Sequence, residues 1–153
     1  LFSRAPEGLT LGGDAHLTPL PIDEAAASLS AILLDESYYE FLKSMVREAG
    51  GIPVLDQAAI IPFKARAWLD LTRQREEGLQ VDEKNIRKHR NDVARLLQLL
   101  SQEARYELPS SVADDMRSFV EQATAEADYD PRQFKVNMTR DDVATRLRAA
   151  YQL

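Results

Sequence analysis

The chain has 153 residues, a formal net charge of −6 and no cysteine. That length fits one domain, or part of a larger one, with enough apolar residues for a core. The missing cysteines exclude disulfides and thiolate metal sites, and no apolar run reaches the roughly eighteen residues of a membrane span. No signal peptide is visible, so the expected home is cytoplasmic. The first residue is Leu1 rather than Met, which reads as an excised piece of a longer chain with functional residues upstream.

Residues 1–21 read as loop, with Pro6, Gly8, Gly12, Gly13, Pro19 and Pro21. Leu9, Thr10 and Leu11 form a candidate strand. His16 to Pro21 reads as extended because of its two prolines. Asp23 is placed to cap a helix through Leu34, with Ala26, Leu29, Ile32 and Leu33 inward. A second helix is expected from about Glu36 to Ala49, with Tyr38, Tyr39, Phe41, Leu42, Met45 and Val46 on its apolar side. The pair Gly50 and Gly51 would stop it.

Ile52 to Leu55 reads as a short edge strand because Pro53 lacks a donor. A helix then runs from about Gln57 to Glu77, with Pro62 in its first turns and Gly78 as its stop. Its apolar stripe is Ile60, Ile61, Ala67, Trp68 and Leu71. Asp82 caps the next helix, with Val81 and Ile86 as a hydrophobic staple. That helix continues to about Ser101 on Ile86, Val93, Leu96, Leu97 and Leu100.

Farther on, Ser111-x-x-Asp114 reads as a capping box before Val112, Met116, Phe119, Val120 and Ala123. Asp128-Tyr-Asp-Pro131 reads as a turn. Residues 134–136 suit a short strand or coil. Thr139-x-x-Asp142 is a second capping box, before Val143, Leu147, Ala150 and Tyr151. The expected class is α+β, predominantly α-helical, with two or three short strands. Residues 1–104 are expected as one unit, with 105–153 as a helical extension packed on it.

Two polar interruptions bear on chemistry. Lys64 lies three or four residues from Ile60, Ile61, Ala67 and Trp68, so it shares their helix face. An ammonium among apolar neighbours must reach water along its stem or meet an anion. The second interruption is Lys88-His-Arg-Asn-Asp92. His89 falls on the inward stripe, where a histidine is more often a core residue than a ligand. Asp92 has Lys88 and Arg95 at pairing distance along the helix. It reads either as a surface ion pair or as a carboxylate at a site's edge.

Charge supports the same region. Residues 64–95 hold nine Lys and Arg (Lys64, Arg66, Arg73, Arg75, Lys84, Arg87, Lys88, Arg90, Arg95) against six Asp and Glu. A basic segment in an acidic chain suits a phosphate or nucleic acid, or is a solvated helix face. Asp70 reads as a solvent or interhelix contact. Asp128 and Asp130 superficially offer paired carboxylates for Mg²⁺, but turn chemistry explains them better. Gly12 and Gly13 are a weak phosphate-loop candidate. His16 has no partner at metal spacing.

Residues 52–55 (Ile-Pro-Val-Leu), 60–71 (Ile-Ile-Pro-Phe-Lys-Ala-Arg-Ala-Trp-Leu-Asp-Leu) and 88–96 (Lys-His-Arg-Asn-Asp-Val-Ala-Arg-Leu) carry a resemblance. The run is similar to the C-terminal half of the AbiEii/AbiGii nucleotidyltransferase toxin family, within the DNA polymerase β-like superfamily. It covers about residues 52–100. The resemblance implies that Lys64 contacts nucleotide phosphates and that Asp92 is the acidic catalytic residue of the last motif. Arg87, Lys88 and Arg90 would then add substrate-binding positive field, with His89, Asn91 and Asp70 in support. It also implies Mg²⁺ and a nucleoside triphosphate in the full-length protein. A cognate antitoxin and an RNA or nucleotide partner follow in the same way.

The family's Gly-Gly/Ser turn and Asp-x-Asp pair are expected upstream of Leu1. Gly12-Gly13 lacks the helix that should follow, and Asp128-x-Asp130 lies on the wrong side. Lysine cannot replace the carboxylates that hold Mg²⁺, so the 153 residues alone should be inactive. The rival reading is a non-enzymatic helical module whose basic segment, residues 84–95, docks an acidic protein or nucleic acid.

Overall fold

A computed structural model describes Ile32 and residues 35–153. The expected strand at 9–11, the extended segment at 16–21 and most of the helix begun at Asp23 lie outside the described residues. So do Gly12, Gly13 and His16. The described chain is mainly helical with one two-stranded antiparallel sheet.

Helix α1 spans Glu36–Met45, capped by the Asp35 carboxylate, which accepts from the Ser37 and Tyr38 amides. It is shorter than its pattern suggested. Val46–Ala49 forms strand β1 and pairs with β2, Ile52–Leu55, with Ala49 opposite Ile52 and Val46 opposite Leu55. The intervening Gly50 and Gly51 have φ of 59° and 79°. Two successive positive φ angles make a tight hairpin turn, which only glycine adopts freely. Gly-Gly therefore turns a hairpin here instead of stopping a helix.

Helix α2, Gln57–Glu76, starts at Asp56, whose carboxylate accepts from the Ala58 and Ala59 amides. It ends at Gly78, where φ is 80° and Leu79 N–H reaches back to the Gln74 carbonyl. Helix α3, Glu83–Leu97, is capped by Asp82. Val81 packs on the same core as Ile86, in keeping with a staple. Helix α4 spans Ser110–Ala125. The expected capping box at Ser111 does not form. Pro109 is the N-cap and no side chain caps the helix, while Asp114 pairs with Arg117 instead. Residues 134–136 are not strand: a 3₁₀ turn spans Pro131–Phe134 and Lys135 is left-handed. Helix α5, Arg140–Tyr151, begins with the reciprocal Thr139–Asp142 capping box.

Helix α2 is the centre of the packing and is buried on two faces. Ala58, Ile61, Ala65 and Trp68 join the main core. There they meet Ile86, Val93 and Leu97 of α3, Met116 and Phe119 of α4, and Leu147 and Tyr151 of α5. Phe63 and Ala67 face a smaller cluster with Ile32, Tyr38, Phe41 and Val112. The alanines let neighbouring helices approach closely. A single stripe through Ile60 and Leu71 therefore understates the burial, because both are only partly covered.

Pro62 has a structural consequence. It has no N–H, so the Ala58 carbonyl one turn earlier loses its helical donor. The buried Tyr151 hydroxyl donates to that carbonyl at 2.9 Å, tying the last helix to α2. Burial also holds the Tyr151 phenol protonated well above its ordinary range. Tyr151→Phe keeps the ring and removes only the donor. We expect a loss of about 1 to 2 kcal/mol, measured by urea denaturation. An unchanged midpoint would mean the carbonyl has another donor.

Candidate functional site

Helices α2 and α3 run antiparallel across the short turn at residues 77–82. Ion pairs cross between them at two levels: Arg75 with Glu83 near the turn, and Lys64 with Asp92 far from it. Lys64 and Asp92 come from two different helices and are brought together by this pairing. Lys64 Nζ lies 3.3 Å from Asp92 Oδ2, with the two side chains 26% and 22% exposed. The other carboxylate oxygen, Oδ1, accepts from Arg95 at 3.1 Å. One carboxylate thus serves two cations, and the cluster keeps a net charge of +1.

The imidazole of His89 is buried beside this cluster, 5% exposed. Its Nδ1 has no hydrogen-bond partner among the described residues, nor does Asn91 Oδ1. Burial and then the Lys64 charge push its pKa down to about 4, against a smaller opposing effect of Asp92. His89 is therefore neutral near pH 7. Arg87 and Lys88 lie on the exposed side of α3, as does Lys84. None of these three forms an ion pair among the described residues.

Two expected site residues point elsewhere. Arg90 is 3% exposed. Its guanidinium lies 4.7 Å over the Tyr129 ring and pairs with Glu126 and Asp128. The hydrogen bond from Arg90 holds the Asp128 carboxyl below its usual range. Arg90 thus ties α3 to the chain beyond α4 and presents no free charge to a substrate. Asp70 lies on another side of α2, accepting from Arg66 Nε at 3.1 Å and from Arg73 at 2.8 Å. Arg66 also donates to Asp115 of α4 at 2.7 Å, and the Tyr38 hydroxyl shares that oxygen at 3.0 Å. Asp70 pairs with two arginines of its own helix rather than across helices, and it is α4 that Arg66 reaches through Asp115, on a side away from Lys64. The pairing of Asp70 with Arg66, four residues away, was visible in the spacing, whereas Asp115 and Tyr38 had no local signal.

The chemistry open to the Lys64 cluster is anion binding. An ammonium with a partly exposed head can neutralise a phosphate oxygen as a point charge. The neutral His89 adds no competing charge. Metal binding does not fit here, because among the described residues no three His, Asp or Glu side chains converge. Asp128 binds Arg90, and Asp130 caps the 3₁₀ turn by accepting from the Arg132 amide at 3.2 Å. Among the described residues no helix is long and apolar enough to cross a membrane. No family model, curated protein or solved structure matches this chain, so the family resemblance rests on the residues of segment 52–100 alone.

Proposed function

We propose that the chain is the helical C-terminal part of a nucleotidyltransferase-like protein of the cytoplasm. The observation that carries this reading is the 3.3 Å contact between Lys64 and Asp92 across α2 and α3. In this reading Lys64 takes the phosphates of a nucleoside triphosphate. Asp92 orders the lysine from the opposite helix. His89 lies beside the pair, and Arg87 and Lys88 contribute longer-range attraction. Mg²⁺ would need carboxylates beyond those that the described residues bring together. A toxin's role, with a cognate antitoxin as partner, follows from the resemblance.

The test is ligand-dependent stability of the intact protein. Inorganic tripolyphosphate and each ribonucleoside triphosphate are titrated while the melting temperature is followed. A ligand at about 100 times its Kd stabilises by roughly 2.7 kcal/mol. Lys64→Met should abolish that gain, and Lys88→Glu should only reduce it. If no triphosphate raises the melting temperature, the reading fails.

A second reading has its own observation: Lys84, Arg87 and Lys88 are exposed on one face of α3 and form no ion pair among the described residues. Such a face suits docking of an acidic protein or nucleic acid without catalysis. It predicts that Lys88→Glu abolishes partner binding, with no effect of nucleotide on stability.

A further inference from the structure

We infer that Arg95 is a positioning residue for the anion site: it compensates Asp92 when Lys64 turns to a phosphate. The inference rests on the triphosphate reading above and adds a residue which that reading does not use. Asp92 stands in the way of an incoming polyanion. Its carboxylate occupies Lys64 Nζ at 3.3 Å and would repel a triphosphate at the same ammonium. The obstacle is removed if Asp92 keeps a cation of its own. Arg95 supplies one from the same helix, three residues on, through the other carboxylate oxygen at 3.1 Å.

Arg95 is held for this task by the C-terminal part of the chain. Its guanidinium lies 5.2 Å over the ring of Phe134, the last residue of the 3₁₀ turn. Phe134 stacks in turn on the buried Tyr129, with ring centroids 6.2 Å apart. Tyr129 is packed under the guanidinium of Arg90. A continuous set of contacts thus runs from the clamp at Glu126 and Asp128 to the Lys64 ammonium. A guanidinium stacked on a ring loses less freedom when it pairs than one free in water. The segment beyond residue 125 thereby acts on the site without touching the ligand.

The probe is inorganic tripolyphosphate, titrated by calorimetry into the intact protein. Arg95→Gln leaves Asp92 uncompensated, and affinity should fall about fivefold, the scale of one partly exposed ion pair. Arg95→Lys retains the charge and should recover most of the loss. Phe134→Leu removes the platform and should weaken binding in the same direction by less. Adding Asp92→Asn to Arg95→Gln removes the uncompensated carboxylate, so the double variant should bind more tightly than Arg95→Gln alone. The cost of Arg95→Gln should also shrink once Asp92 is already Asn, whereas a merely structural role for Arg95 would cost the same in both backgrounds. The inference is overturned if Arg95→Gln binds like the wild type while Lys64→Met does not bind. It is also overturned if the double variant is no tighter than Arg95→Gln. No binding by the unmutated protein overturns the triphosphate reading itself.

Discussion

Arg90→Met is expected to lower the stability of the protein by about 3 kcal/mol, the low end of the range for breaking a buried ion pair. For a chain of this size that corresponds to a fall in Tm of roughly 10 °C. The side chain is 3% exposed and anchors three groups from beyond α4: Glu126, Asp128 and the Tyr129 ring. Its loss removes the cation through which these groups are tied to α3. Asp128 is largely exposed and rehydrates at little cost, which keeps the loss below the maximum. Glu126 is three-quarters buried and does not. Arg90→Lys should recover little, because an ammonium neither stacks on Tyr129 nor serves two carboxylates in one plane. Calorimetric unfolding of both variants checks this. A Tm within about 3 °C of wild type would show that the clamp contributes little.

Stability should also fall as pH drops from 7 to 4.5, with His89 as the main cause. The unfolded imidazole titrates near pH 6.5, whereas burial beside Lys64 lowers the folded value to about 4. Well above 6.5 both states are neutral and this ring contributes no pH dependence. Between 6.5 and 4 only the unfolded chain binds the proton, so unfolding becomes progressively easier. The groups acting on the ring are Lys64 of α2 with Asp92 and Lys88 of α3. The loss by pH 4.5 is roughly 2 to 3 kcal/mol. The carboxyls held low by hydrogen bonds, such as Asp128 and Asp142, begin to matter only at lower pH. Urea midpoints measured across this range should slope for the wild type and lie flatter for His89→Gln. A flat wild-type profile would contradict the burial of a neutral imidazole.

Much of the architecture was legible in local signals. Asp82, Gly78 and the Thr139 box mark helix ends by chemistry confined to a few residues, and each acts where the sequence places it. The antiparallel pairing of α2 with α3 follows from a short turn between two apolar helices, and it brings Lys64 against Asp92. Two features were less readable, for different reasons. Residues 46–49 continue the apolar pattern of α1, and Gly50-Gly51 can end a helix or turn a hairpin with equal ease. Pairing with Ile52–Leu55 decides between them. Arg90 neighbours His89 in sequence, yet one residue turns a helix by about 100°. Its partners lie 36 and 38 residues away, where no spacing rule reaches. The role of Phe134 under Arg95 is hidden for the same reason.

The proposed function requires that the Lys64 ammonium, rather than the exposed Lys84, Arg87 and Lys88 of α3, receives a polyphosphate. The most direct measurement is a crystal structure of the intact protein with tripolyphosphate. A phosphate oxygen is expected within hydrogen-bond distance of Lys64 Nζ, with Asp92 still held by Arg95. An anion bound only at Lys84, Arg87 and Lys88, with Lys64 still paired to Asp92, would contradict it.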